Sequence, residues 1–211
     1  MLAAAALVLV PAVAHGAQKN RRGVELWVEA PRLLFPVGEG YVSGITIGDE
    51  PEPYVGDHFL ENGWGFGFGG LYGFADNVAV EARIVQSNHT VESTDYDWDI
   101  EQVYVGLRYT LVGEGSLQPF ASAGVARNTL EWSPRGDQSG EFVRLWGYGW
   151  AVSGGVDYLL SSRWVLSLRA DYIAADYREA LISTTEYDID DALGGGAVGV
   201  TLAIAYRVPP F

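Results

Sequence analysis

The chain has 211 residues, enough for one domain, and its 48% hydrophobic and 19% charged residues argue against intrinsic disorder. It has no Cys, which excludes disulfides, zinc–thiolate sites and thiol catalysis. The net charge of −14 argues against a nucleic-acid partner, whose phosphates need Lys and Arg to neutralise them.

Leu2–Val13 is apolar and leads into small residues at Ala12, Ala14 and Ala17, the pattern of an export signal. A run this short cannot cross a bilayer as a helix. No Lys or Arg precedes it, so the signal is read as incomplete at its start. Residues 1–17 are taken as signal peptide and 18–211 as one domain.

Beyond the signal no helical period dominates. The 27 glycines and 13% aromatics suit short twisted strands, and apolar residues alternate with period two between turn residues. Gly23–Ala30 sets Val24, Leu26 and Val28 against Glu25, Trp27 and Glu29. Gly63–Phe74 sets Trp64, Phe66, Phe68, Tyr72 and Phe74 against glycines. Val78–Val85 sets Val80 and Ile84 against Glu81 and Arg83. Gln102–Leu111 sets Val103, Val105, Leu107 and Tyr109 against Gln102, Tyr104 and Arg108. Gln118–Leu130 is rich in small residues, and its facing stays open. Leu145–Leu159 sets Trp146, Tyr148, Trp150 and Tyr158 against glycines and Asp157. Trp164–Ile173 sets Trp164, Leu168 and Tyr172 against Arg169 and Asp171. Ala197–Val208 sets Val200, Leu202, Ile204 and Tyr206 against Thr201 and Arg207.

The apolar face is too bulky to fit inside about eight strands. In the seven segments that can be oriented it carries no charge, which a soluble surface would have no reason to avoid. A lipid face would, because Arg or Lys at the midplane costs about 2–4 kcal/mol. The fold expected is all-β, an eight-stranded antiparallel up-and-down transmembrane β-barrel. Its lumen holds a charge network of Glu25, Glu29, Glu81, Arg83, Arg108, Asp157, Arg169, Asp171 and Arg207, either a structural plug or an ion path. Connections alternate between long (31–62, 86–101, 131–144, 174–196) and short, which puts long loops outside and both termini in the periplasm. Trp98, Trp146, Tyr172 and also Trp132 and Tyr177 are then expected as an outer aromatic girdle. Phe74, Tyr109, Tyr158, Trp164 and Tyr206 are expected as an inner one. The acidic stretches Glu50–Glu61, Glu92–Glu101 and Glu179–Asp191 are read as solvated loops.

Three stretches resemble the OmpA/OmpX-like family of small outer-membrane barrels: Val103–Tyr109, Gln118–Val125, and Ser153–Tyr158 through Leu168–Tyr172. The resemblance is one of pattern and implies fold and a bacterial outer-membrane location. It implies as partners the membrane's lipid and lipopolysaccharide and the barrel-assembly machinery, which reads the last strand. Family members usually end in Phe, as Phe211 does, but here Pro209 and Pro210 displace it from the outward alternation.

Chemistry finds little support. Lipid A deacylases would call for a His two residues before a Ser, and no such pair occurs. Omptin-like proteases would call for an Asp–His pair two apart, whereas Asp57 and His58 are adjacent. His89 reads as an exposed residue near a strand end. Asp95, Asp97 and Asp99 alternate like a calcium loop, but Ile100 and Gly106 stand where that loop needs Gly and an acid. The expectation is a non-enzymatic barrel without cofactor or metal, serving envelope integrity or surface interaction through acidic loops. The alternatives are a narrow channel or hydrophobic-solute transporter, a lipid-modifying enzyme, and a soluble lipocalin-like carrier.

Overall fold

The computed structural model describes residues 22–37, 63–90, 96–113, 115–134, 143–182 and 184–208. The signal stretch, Phe211 and the acidic stretch Glu50–Glu61 lie outside them. Eight strands form one closed antiparallel ring in chain order: β1 (Gly23–Val37), β2 (Gly63–Gly73), β3 (Val78–Thr90), β4 (Tyr96–Thr110), β5 (Leu117–Pro134), β6 (Val143–Leu159), β7 (Trp164–Ile182) and β8 (Thr185–Arg207). Closure comes from β1 pairing with β8, from Glu25↔Arg207 to Val37↔Gly196. A bulge interrupts β1 between Glu29 and Arg32. Pro31, which has no ladder donor to offer, lies within it.

Following paired residues once round the ring returns to β1 displaced by about ten residues, which fixes a strand tilt of roughly 35–45° and an interior with room only for packed side chains. Lumen glycines let inward aromatics lie flat against the wall. A Cβ on Gly69 would stand 2.6 Å from the Trp27 ring, and one on Gly106 would stand 2.2 Å from the Tyr104 hydroxyl.

The strands run further than the alternation of apolar residues indicates. β4 begins at Tyr96, and β7 and β8 continue to Ile182 and from Thr185. The stretches 86–101 and 174–196 are therefore largely paired strand rather than long loops; of 131–144, residues 131–134 and 143–144 are paired and the rest lies outside the described residues, and the acidic stretch Glu179–Asp191 belongs to the β7–β8 hairpin. Pairing also settles β5. Phe120, Ser122, Ala126, Asn128 and Leu130 are buried, while Ala121, Ala123, Val125 and Arg127 face out.

Outside and inside exchange chemistry part-way up the wall. In the lower part, toward the short turns, Val80, Val105, Leu107, Trp150 and Leu168 face out and are exposed. The intervening Glu81, Arg108 and Arg169 are buried. Higher up, Asp99, Glu131, Arg144 and Asp176 face out, while Ile100, Leu130, Leu145 and Tyr177 are buried. The outward apolar run on β4, Val103 to Leu111, covers roughly 20 Å of height, close to the ~25 Å apolar band of an outer-membrane barrel. Above it the wall has the polarity of a water-soluble barrel. The soluble-carrier alternative fails on the lower part, where Trp64, Phe66, Phe68, Tyr72 and Phe74 are more than half exposed on the outside.

Candidate functional site: the charged lumen

Strand alternation sends Glu29, Glu81, Arg83, Arg108, Asp157, Arg169 and Asp171 into one layer of the lumen, all of them buried. The Arg83 guanidinium crosses from β3 to β7 and donates to both oxygens of Asp171, at 2.8 and 3.3 Å. Ser153 donates to the same carboxylate at 2.6 Å. Arg169 stands between Glu81 and Glu29. It donates to Glu81 Oε2 at 3.1 Å and lies 3.7 Å from Glu29 Oε1. Its Nη1 is also 2.9 Å from Glu81 Oε1, off the direction a hydrogen bond requires, so that contact is electrostatic. Arg108 donates to Asp157 and approaches Glu81 at 3.7 Å. Arg83 closes the series at 4.0 Å from Glu29, whose Oε1 also accepts from Trp27 Nε1 at 2.9 Å.

The result is one alternating chain across the lumen: Asp157, Arg108, Glu81, Arg169, Glu29, Arg83, Asp171. Aromatic rings back the guanidiniums. Arg108 lies 3.6 Å from the Phe120 centroid, Arg83 4.8 Å from Tyr104, and Arg169 5.6 Å from Trp27. Each arginine is thus held at its edge by carboxylates and on its face by a ring. Glu25 and Arg207 form a separate pair at 2.8 Å nearer the short-turn end.

Apolar layers cap this charged layer on both sides. Leu71, Leu159, Val165 and Ala205 lie below, and Ile100, Leu130, Leu145, Ile173 and Tyr177 lie above. The lumen is therefore layered, with its charge concentrated at mid-height and single buried polar residues such as Gln118 below and Gln102, Asn128 and His89 above.

Of the expected girdle, Phe74, Tyr109, Trp164 and Tyr172 are exposed on the outer face, and Trp146, Tyr158 and Tyr206 are half-buried there. Trp164 and Tyr206 pack edge to face at 5.1 Å. Trp98 does not join them. It is 5% exposed and points inward, because it shares the alternation of Gln102, Tyr104 and Arg108 on β4. Tyr177 is buried for the same reason on β7, and the Trp132 side chain lies outside the described residues. His89 lies next to the end of β3, as expected, but it is not exposed. It is buried inside β3, and Ser87 hydrogen-bonds its Nε2 at 3.1 Å. The period of two places Ser87 and His89 on one face, with the Ser preceding the His rather than following it.

A closed ring with an apolar outer band, aromatic rims and a packed charged lumen defines an integral outer-membrane β-barrel. The chain belongs to the outer membrane protein beta-barrel domain family, which its sequence matches over residues 2–204. Among solved structures it is similar to the outer membrane protein OprG from Pseudomonas aeruginosa, at TM-score 0.64 and 16% identity over 91% of this chain and 99% of that one. It is also similar to Neisserial surface protein A, at TM-score 0.59 and 10% identity over 89% and 98% of the two chains. The attachment invasion locus protein Ail of Yersinia pestis follows, at TM-score 0.50 and 12% identity over 89% and 99%. These likenesses concern the fold. No curated protein matches the sequence.

Proposed function

We propose that this outer-membrane barrel is a non-conducting, non-enzymatic protein of the bacterial envelope. Its role is envelope integrity or surface interaction through its charged outer end. One observation carries the reading: the alternating chain from Asp157 to Asp171 spans the lumen, its members are buried, and apolar layers cover it on both sides. Buried pairs of this kind break only at a cost of several kcal/mol, so the chain acts as a plug rather than an ion path. The strands that rise above the apolar band carry Asp99, Glu131, Arg144 and Asp176 on their outer side, a surface suited to water and to surface partners. The short turns and both termini face the periplasm.

Two measurements test this. In planar bilayers the purified barrel is expected to give no conductance steps, and regular steps abolished by R83Q or R169Q would replace the plug by a pore. For orientation, the absence of Cys allows clean single-cysteine labelling. Thr184→Cys is expected to react with an impermeant maleimide on intact cells, and Ser161→Cys only after the outer membrane is opened. The reverse pattern would invert the barrel.

The hydrophobic-solute alternative draws on the apolar upper lumen around Trp98, Ile100 and Leu130. Those side chains pack against one another, and the hydrogen-bonded Gln102–Asn128 pair and then the charged layer lie beneath them.

A further inference from the structure

We propose that the outer face of β5 and β6, centred on Arg127, binds a phosphate group of an outer-leaflet lipopolysaccharide molecule. The inference rests on the orientation given above, in which the end opposite the short turns faces outward.

Arg127 is set apart by its partners. Arg22, Arg83, Arg108, Arg144, Arg169, Arg178 and Arg207 each stand within ion-pair distance of a carboxylate. Among the arginines whose side chains are described only Arg127 and Arg163 have none, and Arg163 lies in the β6–β7 turn, where it meets the Tyr206 hydroxyl. Arg127 instead projects from the middle of a strand, on the outside of the barrel.

Its height on the wall is the second observation. Directly across from it are Val103 on β4 and Tyr148 on β6. One outward row lower the surface is Val105, Val125 and Trp150, all exposed and apolar. Two rows higher it is Asp99, Glu131 and Arg144, the last two paired at 2.7 Å. Arg127 is therefore the first charge met on ascending β5 out of the apolar band. At that height the lipid presents its headgroup rather than its acyl chains, and in the outer leaflet of this membrane the headgroup is phosphorylated.

The chemistry fits. A guanidinium offers a planar fork of donors that matches phosphate oxygens, and the Tyr148 hydroxyl can add one more. Val125 and Tyr148, 68% and 71% exposed, flank the cation and present apolar surface to the first acyl carbons. Glu101, which pairs with Thr129 one row higher, is the competing carboxylate nearest by register, yet no ion pair joins it to Arg127.

The test uses the full chain in phosphatidylcholine nanodiscs doped with bis-phosphorylated lipid A, with retained lipid counted by native mass spectrometry. Wild type is expected to keep lipid A in preference to its dephosphorylated form. R127Q should lose that preference by about tenfold, the worth of one charge-assisted contact. R127K should recover part of it, and E101Q should keep it or raise it. R178Q, whose guanidinium already pairs with Asp176, should behave as wild type. Retention of the heat-dependent gel shift by R127Q shows that the barrel is folded. Equal retention of both lipid A forms, or an R127Q that matches wild type, overturns the proposal. Competition by millimolar inorganic phosphate as effective as lipid A would make this a free-anion site and overturn the lipid assignment. Both lipid forms reach both leaflets of a nanodisc, so this result does not depend on orientation. The cysteine labelling at Thr184 and Ser161 reports an orientation failure separately.

Discussion

At the residue scale the lumen turns on Arg169, which faces two carboxylates at once. Glu81 and Glu29 lie 2.9 and 3.7 Å from its Nη1. Removing that cation leaves two buried acids with weakened compensation, whereas removing a terminal member such as Asp157 leaves Arg108 still facing Glu81. R169A is therefore expected to destabilise the barrel by about 3–5 kcal/mol, the cost of breaking a buried pair. E81Q/R169Q, which leaves neutral groups that can hydrogen-bond, should cost clearly less. Urea unfolding in detergent micelles measures both, and equal losses would show that packing rather than charge holds the layer. The glycines make a parallel case. A methyl on Gly106 would meet both the Tyr104 hydroxyl and the Ala123 backbone oxygen, at 2.2 and 2.5 Å. The ring could swing away but the backbone could not. G106A should lower the unfolding midpoint, and Y104F should not relieve the loss; full rescue by that second change would place the clash on the side chain alone.

At the scale of the strand, polarity inverts with height while alternation persists. A single substitution should therefore have opposite consequences at two heights of β4. Leu107→Lys puts a charge on the lipid face near the middle of the band and should cost about 2–4 kcal/mol. Glu101→Lys exchanges one outward charge for another at the rim and should be nearly neutral. Similar losses at both positions, measured as urea midpoints in lipid vesicles, would move the membrane boundary assigned here. The same inversion explains what was legible in the sequence. Where Leu, Val and aromatics alternate with Glu and Arg, as in Val103–Tyr109, strand and facing can both be read. Trp98-Asp99-Ile100-Glu101 alternates just as strictly, but its acids face out and its apolar residues face in, so it reads as an acidic loop with a girdle tryptophan. In β5 the run Ala121-Ser122-Ala123-Gly124 has no contrast between its faces, and only pairing with Gly106–Tyr109 on one side and Ala151–Gly154 on the other decides it. The alternating charge chain was legible as a set of residues. Its order was not, because Arg83–Asp171 and Arg169–Glu81 each join residues 88 positions apart across the lumen.

For the whole molecule, closure is the property on which everything else depends. The ring has no edge only because β1 meets β8, and that seam holds the one bulge described in β1. Lumen packing and seam support each other: Glu29 sits beside the bulge and belongs to the charged chain, and Glu25 and Arg207 pair across the seam both through the backbone and through their side chains. Loss of the last turns of β8 should therefore not leave a slightly weaker barrel. It should expose the β1 edge and the charged layer together, and a lipid bilayer tolerates neither. Truncation after Val200 removes the β8 partners of Glu25–Arg32 and should abolish the heat-dependent gel shift completely. Excision of Glu179–Asp188 removes only the hairpin tip above the apolar band and should leave the shift in place. Partial shifts graded with the length removed from β8 would mean that the ring closes piecemeal and that the lumen chain does not depend on the seam. An all-or-none response would establish the charged layer and the β1–β8 closure as one cooperative unit.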